Sequence, residues 1–173
     1  IFSKVDLSPE VISATRAQGR TVHHIAAKCG VFAETDVVGL LKAGIPGEEI
    51  VVSLCSAVVK QNIEVLLHGN VLPDDVLLLG GPHTYFSAFQ DIWRQEIPKI
   101  WKLHRFEPRH RPMEELVFVP DDAQYFAALG AVWCGRESRE LLASNREPAP
   151  YLGAAALEAF LASSRDARLA SLG

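Results

Sequence analysis

The run Asp75-Val76-Leu77-Leu78-Leu79-Gly80-Gly81-Pro82 constrains the fold of this chain more than any other segment. Its apolar stretch is short, continuous rather than alternating, and closed by glycines. That is the pattern of a strand buried on both faces of a parallel sheet, turning through glycine into a helix. Parallel strands need a crossover between them. A helix over 84–96 supplies it and leads to a second expected strand at 97–101. Residues 102–115 read as a polar loop punctuated by Pro108 and Pro112. A third strand, 116–119, is ended by Pro120, and Asp121-Asp122 open a helix that runs through Trp133 with Ala-rich faces for close packing.

Upstream the period is helical. Ser8-Pro9-Glu10 combines a capping hydroxyl, a proline suited to the first turn and an acid near the positive helix end. Gly19 is expected to end that helix, and 21–28 to form a second short one. Residues 31–43 make a helix in which Val31, Phe32, Val38, Leu41 and Val37 share a buried side. Gly44 stops it, and Pro46-Gly47 turns the chain. Glu48 and Glu49 open a long helix to about residue 67. Its apolar residues occupy more than one face, which implies burial on several sides. Beyond Gly135 the chain turns polar, then Ala-rich over 153–164, and ends in a fraying tail. The expected architecture is α/β: N-terminal helices, a strand–helix–strand unit and a closing helix over 1–135, with a helical or partly disordered extension over 136–173.

Hydrophobic residues make up 49% and charged residues 22% of the 173, the balance of a soluble globular domain. The net charge of -4 argues against nucleic acid as a partner. No segment reads as a membrane span, and the start lacks a secretory pattern. Cys29, Cys55 and Cys134 are odd in number and form no CxxC pair. That disfavours a disulfide framework or a self-contained zinc site and points to the cytoplasm. Ile1 stands where a start Met would be, so the sequence is expected to be a piece of a longer chain.

Three constellations carry candidate chemistry. Gly80 and Gly81 end a strand, where a missing Cβ lets a ligand approach the backbone; a bare strand-to-helix turn explains the same residues. No GxxxxGK[ST] motif is present, so this is no P-loop. Cys29 lies just before a helix start, a place that favours the metal-binding thiolate; a small buried residue is the other reading. Lys102, His104, Arg105, Arg109, His110 and Arg111 form a basic loop diluted by Glu107, Glu114 and Glu115, which suits a solvated loop better than a phosphate site. His23 and His24 are adjacent and make a poor metal pair. No Ser-His-Asp or Cys-His arrangement and no general base can be argued, so no catalytic residue is assigned.

Taken together, three segments resemble one family. Cys29-Gly30-Val31-Phe32-Ala33-Glu34-Thr35-Asp36 is similar to the C-x-V-F-A-E-S-E signature of the BadF/BadG/BcrA/BcrD ATPases, which include the activator of 2-hydroxyglutaryl-CoA dehydratase and related CoA-enzyme activases. The 76–82 run resembles the family's second nucleotide motif. Asp122-Ala123-Gln124-Tyr125-Phe126-Ala127-Ala128-Leu129-Gly130-Ala131 resembles its closing helix, and the large multidomain activator-related proteins look closest. The resemblance implies part of an actin-like, sugar-kinase-like ATPase of ribonuclease-H-like halves that clamp Mg-ATP. It puts Gly80, Gly81, Pro82 and His83 against the nucleotide. It makes Cys29 a ligand of a four-iron four-sulfur cluster shared by two subunits, in a homodimer. ATP hydrolysis would then drive electrons into a CoA-ester dehydratase or reductase. The family's first phosphate hairpin and its second cysteine segment are absent, so the isolated chain is expected to be inactive. The alternative is a non-catalytic interaction or regulatory module that keeps the ATPase-like fold.

Overall fold

The computed structural model describes residues 4–26, 29–67, 69–137, 153–156, 158–159 and 161–162. The chain divides into two compact units, Ile1–Ala131 and Val132–Gly173. The boundary falls inside the last long helix.

The first unit opens with α1 (Pro9–Ala14), capped by Ser8, whose hydroxyl accepts from the Val11 N–H at 3.4 Å. The helix stops at Thr15, not at Gly19 as the sequence suggests. The reason lies in α5 (Ser87–Leu103), which carries a carboxylate into the core. Arg16 Nε and Nη2 donate to the two oxygens of Asp91 at 2.8 and 2.7 Å, and the Ala17 N–H adds a third bond at 3.0 Å. The Asp91 side chain is 4% exposed. A buried carboxylate without donors is costly, so residues 15–17 leave the helix to reach it.

Residues 21–26 form no helix, which corrects the expected short helix over 21–28 for its described part. Their backbone donors go to side chains instead of helical carbonyls: His23 N–H to Ser53 Oγ at 2.8 Å, and Ala26 N–H to Asp36 Oδ2 at 2.7 Å. His23 Nε2 meets Glu49 Oε2 at 2.8 Å, so the two histidines form no pair.

Helix α2 (Gly30–Lys42) follows, then α3 (Gly47–Leu67). Gly44, at φ +76°, makes the left-handed stop between them. The expected buried side of α2 is corrected: Ala33 and Val37 are buried, whereas Val31 and Phe32 are 73% and 63% exposed. Helix α3 is long and apolar enough to cross a membrane by length and composition alone. The apolarity serves the core, because Ile50 through Ser56 and Val59 are buried.

The strand expected at 97–101 is helix. Residues Ala88, Phe89, Ile92, Trp93, Ile97, Ile100 and Trp101 form one buried stripe along α5, with helical spacing that continues through Pro98. Pro98 removes one helical hydrogen bond, a loss the stripe's burial against α3 outweighs. The sheet therefore has two strands among the described residues, β1 (Val76–Leu77) and β2 (Val117–Phe118). They are parallel, with Val76 opposite Val117 and Leu77 opposite Phe118. Between Gly80 and α5 lies a short helix, α4 (Gly81–Tyr85), and before β2 a single helical turn, α6 (Met113–Leu116). After β2 come a 3-10 turn, Ala123–Tyr125, and α7 (Phe126–Glu137). No residue of α7 is buried, so the small faces expected to pack closely are uncovered. Most of the expected extension lies outside the described residues; helical backbone is present at 154–156, 158–159 and 161–162.

Two outcomes follow from this packing. Arg16→Ala leaves the Asp91 carboxylate buried with one donor. It should lower unfolding stability by about 2 kcal/mol, below the fully buried case because Arg16 is half exposed; denaturant titration checks this. Burial pushes the Cys55 thiol from 9.0 up to about 12. In the native protein a thiol reagent should modify the exposed Cys29 and Cys134 and spare Cys55 until unfolding. Unfolded chains lose the proton near 9.0 and the folded chain near 12, so this group's contribution is intact below pH 9. It is lost as pH rises toward 12, by roughly 1.4 kcal/mol per pH unit at most.

Candidate functional site

The turn after β1 is built on the Gly80 backbone. Gly80 adopts φ +92° and ψ 162°, a region open to glycine and strained for other residues. Its N–H donates to the Ala123 carbonyl at 3.0 Å. Its carbonyl accepts from the His83 and Thr84 N–H groups and from Thr84 Oγ1, each at 3.2 Å. Thr84 Oγ1 also lies 3.4 Å from Gln124 Oε1. Segments about forty residues apart in sequence, the double glycine and Ala123-Gln124, therefore meet at one place.

Gly81 differs from Gly80. A Cβ there would sit 3.7 Å from the Tyr85 ring, ordinary van der Waals contact, and its backbone is not left-handed. The chain's own packing does not demand glycine at this position. The Gly81 N–H has no hydrogen-bond partner among the described residues. It is half-buried and presents a donor with no side chain above it.

His83 is committed elsewhere. Its Nδ1–H donates to the Leu79 carbonyl at 2.7 Å, and its Nε2 accepts from Trp93 Nε1–H at 2.8 Å. The indole N–H can only donate, so Nε2 is the acceptor and Nδ1 carries the donated proton. Gln90 Nε2 donates to the His83 carbonyl at 2.9 Å, and the ring packs edge-on against Phe89 at 5.6 Å between centroids. Nδ1 ties α4 back to the end of the β1 segment and Nε2 ties it to α5, so neither nitrogen is left for a ligand. Pro82 is exposed beside Gly81.

The helix expected at 84–96 is corrected as well. Phe86, at φ -111° and ψ 107°, breaks it into the five-residue α4 and the long α5. A long helix dipole therefore does not open on the glycines. A cavity of about 340 Å³ flanks the turn and is lined by Leu79, His83 and Trp93, but not by Gly80 or Gly81.

The structure does not bring Cys29 to the turn. Cys29 precedes α2 with an exposed, free thiol and makes no side-chain cap to that helix. Among the described residues no three His, Cys, Asp or Glu side chains are grouped to hold a metal. Two arginines of the basic loop are spent on structure. Arg109 pairs with Asp74 and Asp75, Arg111 pairs with Asp75, and the Arg109 N–H donates to Asp74 Oδ2 at 3.0 Å. The Arg111 guanidinium holds the Asp75 carboxyl below the usual carboxylate range. Asp74 and Asp75, which turn the loop into a clasp on the start of β1, carried no signal beyond their opposite charge.

No family model and no curated protein sequence matches the chain. One solved structure shares its fold: an activator of 2-hydroxyisocaproyl-CoA dehydratase from Clostridium difficile, with bound ADPNP. The TM-score is 0.56 and the identity 21% over 86% of this chain. The chain spans about half of that one, 49%.

The two glycines should separate on substitution. Gly80→Ala is expected to cost about 1–3 kcal/mol through backbone strain, and Gly81→Ala to change stability by under about 0.5 kcal/mol. Thermal or urea unfolding of the two variants measures the difference.

Proposed function

We propose that this chain is one part of an ATP-dependent activator that serves a CoA-ester dehydratase or reductase. The observation that carries this reading is the fold shared over 86% of the chain with an activator solved with bound ADPNP. The turn supports it. Gly80 holds a conformation that other residues resist, and Gly81 offers a free backbone N–H with no side chain in front of it. Backbone donors beside a Cβ-free position suit the close approach of a nucleotide.

In this reading Gly80, Gly81 and Pro82 form one wall of the nucleotide site, and His83 positions that wall through Leu79 and Trp93. ATP with its Mg would lie between this wall and a second one from polypeptide outside the matched half. That division accounts for glycines that do not line the neighbouring cavity, and it leaves the chain alone with background ATP hydrolysis. The bound nucleotide would supply the phosphoryl chemistry; the residues here bind and orient.

Cys29 has the exposure of a thiolate open to a partner, but one thiolate does not hold a four-iron four-sulfur cluster, which takes four. The residues present build no cluster site by themselves. Cys29 is retained as a single ligand in a cluster shared across a dimer.

The test is a backbone NMR titration of the chain with ADPNP, with CoA as comparison. ADPNP is expected to shift the amides of 80–84 and 123–125, and Gly81→Val to weaken that binding about tenfold without unfolding the chain. Shifts confined to other regions, or equal binding by Gly81→Val, would refute the nucleotide wall. No binding of ADPNP at millimolar concentration favours the interaction module instead.

A further inference from the structure

A second cavity, of about 300 Å³, lies between residues 22–26 and one face of α3 and shares no residue with the glycine turn. Helical spacing builds that face: Ser53, Ser56, Ala57, Lys60 and Glu64 recur three or four residues apart along it. The two serines differ. Ser53 Oγ accepts from the His23 N–H at 2.8 Å and donates to the Glu49 carbonyl at 2.6 Å, so both of its roles are filled within the chain. Ser56 is almost as deep, 4% exposed, yet its hydroxyl has no hydrogen-bond partner among the described residues. Nor is it sealed in: among those residues the one enclosed, unpartnered side-chain polar atom is Arg111 Nε, so the Ser56 hydroxyl opens to the cavity it lines. Buried hydroxyls are normally paired, and this one offers a donor and an acceptor to whatever enters.

Further along the same face stand Lys60 and Glu64, both exposed and one helical turn apart. Neither forms an ion pair with the other or with any other described residue. Lysine ahead of glutamate is the weaker order for a helical pair, which leaves both charges available. Ile25, 5% exposed, and Ala57 add apolar surface.

Charge decides the class of ligand. One cation and one carboxylate line the same cavity. A phosphate would set its charges beside Glu64 with Lys60 alone to offset them. A simple carboxylate would leave Glu64 unmatched, and a simple amine would leave Lys60 unmatched. A small zwitterion, with its two charges close together, meets both.

We propose that this cavity binds a small α-amino acid. Its carboxylate takes the Ser56 hydroxyl and the Lys60 ammonium, its ammonium takes Glu64, and a short apolar side chain rests on Ile25 and Ala57. The inference uses neither the glycine turn nor nucleotide binding, so it and the proposed function fail separately.

The probe is L-valine, titrated into the full chain and read by backbone NMR. Two comparisons run beside it: 3-methylbutanoate, which lacks the ammonium, and isobutylamine, which lacks the carboxylate. Saturable shifts at 22–26 and 56–64 are expected, with each comparison compound binding about tenfold more weakly. Ser56→Ala and Lys60→Gln, each checked for intact fold by circular dichroism, should also weaken L-valine about tenfold. Lys60 is exposed, so its variant keeps the test open if Ser56→Ala unfolds the chain. Equal binding of 3-methylbutanoate or of inorganic phosphate would make this a plain anion site and overturn the proposal. Undiminished binding by either folded variant, shifts confined to other regions, or no saturation at tens of millimolar L-valine would overturn it as well, the last leaving a cavity that holds water alone.

Discussion

The Asp91 carboxylate organises the first unit. It projects from the middle of α5 into a position almost closed to solvent, and it is tolerated there because Arg16 and Ala17 supply three donors. Satisfying it pulls the chain out of α1 after Ala14 and holds it against α5. From there residues 21–26 are fastened to α3 by Ser53 and to α2 by Asp36. The same helix α5 carries Trp93 to His83, Arg94 to β2 and Trp101 Nε1 to the Leu72 carbonyl at 2.9 Å. One buried charge and the helix that bears it thus position the N-terminal segment, the sheet and the glycine turn together.

The turn shows how a binding surface can be made from what side chains leave free. Three polar side chains beside Gly80 are used inward: His83 by both nitrogens, Thr84 on Gly80, Gln90 on the His83 carbonyl. The Gly81 N–H remains outward. Such a surface recognises shape and offers hydrogen bonds but moves no protons. That is the character required of the proposed nucleotide wall, whose chemistry would be completed elsewhere.

Some of this was legible in the sequence because local rules decide it. Gly44, Pro46-Gly47 and the paired acids Glu48 and Glu49 mark the junction of α2 and α3 by conformation and charge alone. The apolar 76–79 run ending in Gly80 marks a buried strand and its turn. The 97–101 segment was misread because Pro98 and clustered branched and aromatic residues resemble a strand. The helical stripe emerges only when Ile97 and Trp101 are counted with Phe89 and Trp93. Val31 and Phe32 were misassigned to the core because periodicity gives a face but not which neighbour covers it. The resemblance put His83 beside the nucleotide; the partners of its ring, the Leu79 carbonyl and the Trp93 indole, are brought to it by the fold.

By itself the sequence determined where α1 starts and where α2 gives way to α3, that a strand would end in a glycine-only conformation, and that the chain would bury an apolar helix on several sides. These depend on φ preferences, capping and the total of apolar surface, all carried by neighbours along the chain. Tertiary structure alone decided that Gly80 would be tied to Ala123, that Arg109 and Arg111 would pair with Asp74 and Asp75, and that Arg16 would be drawn to Asp91. Each of these is a pairing of groups distant in sequence, whose partners are chosen by packing and charge burial rather than by local preference.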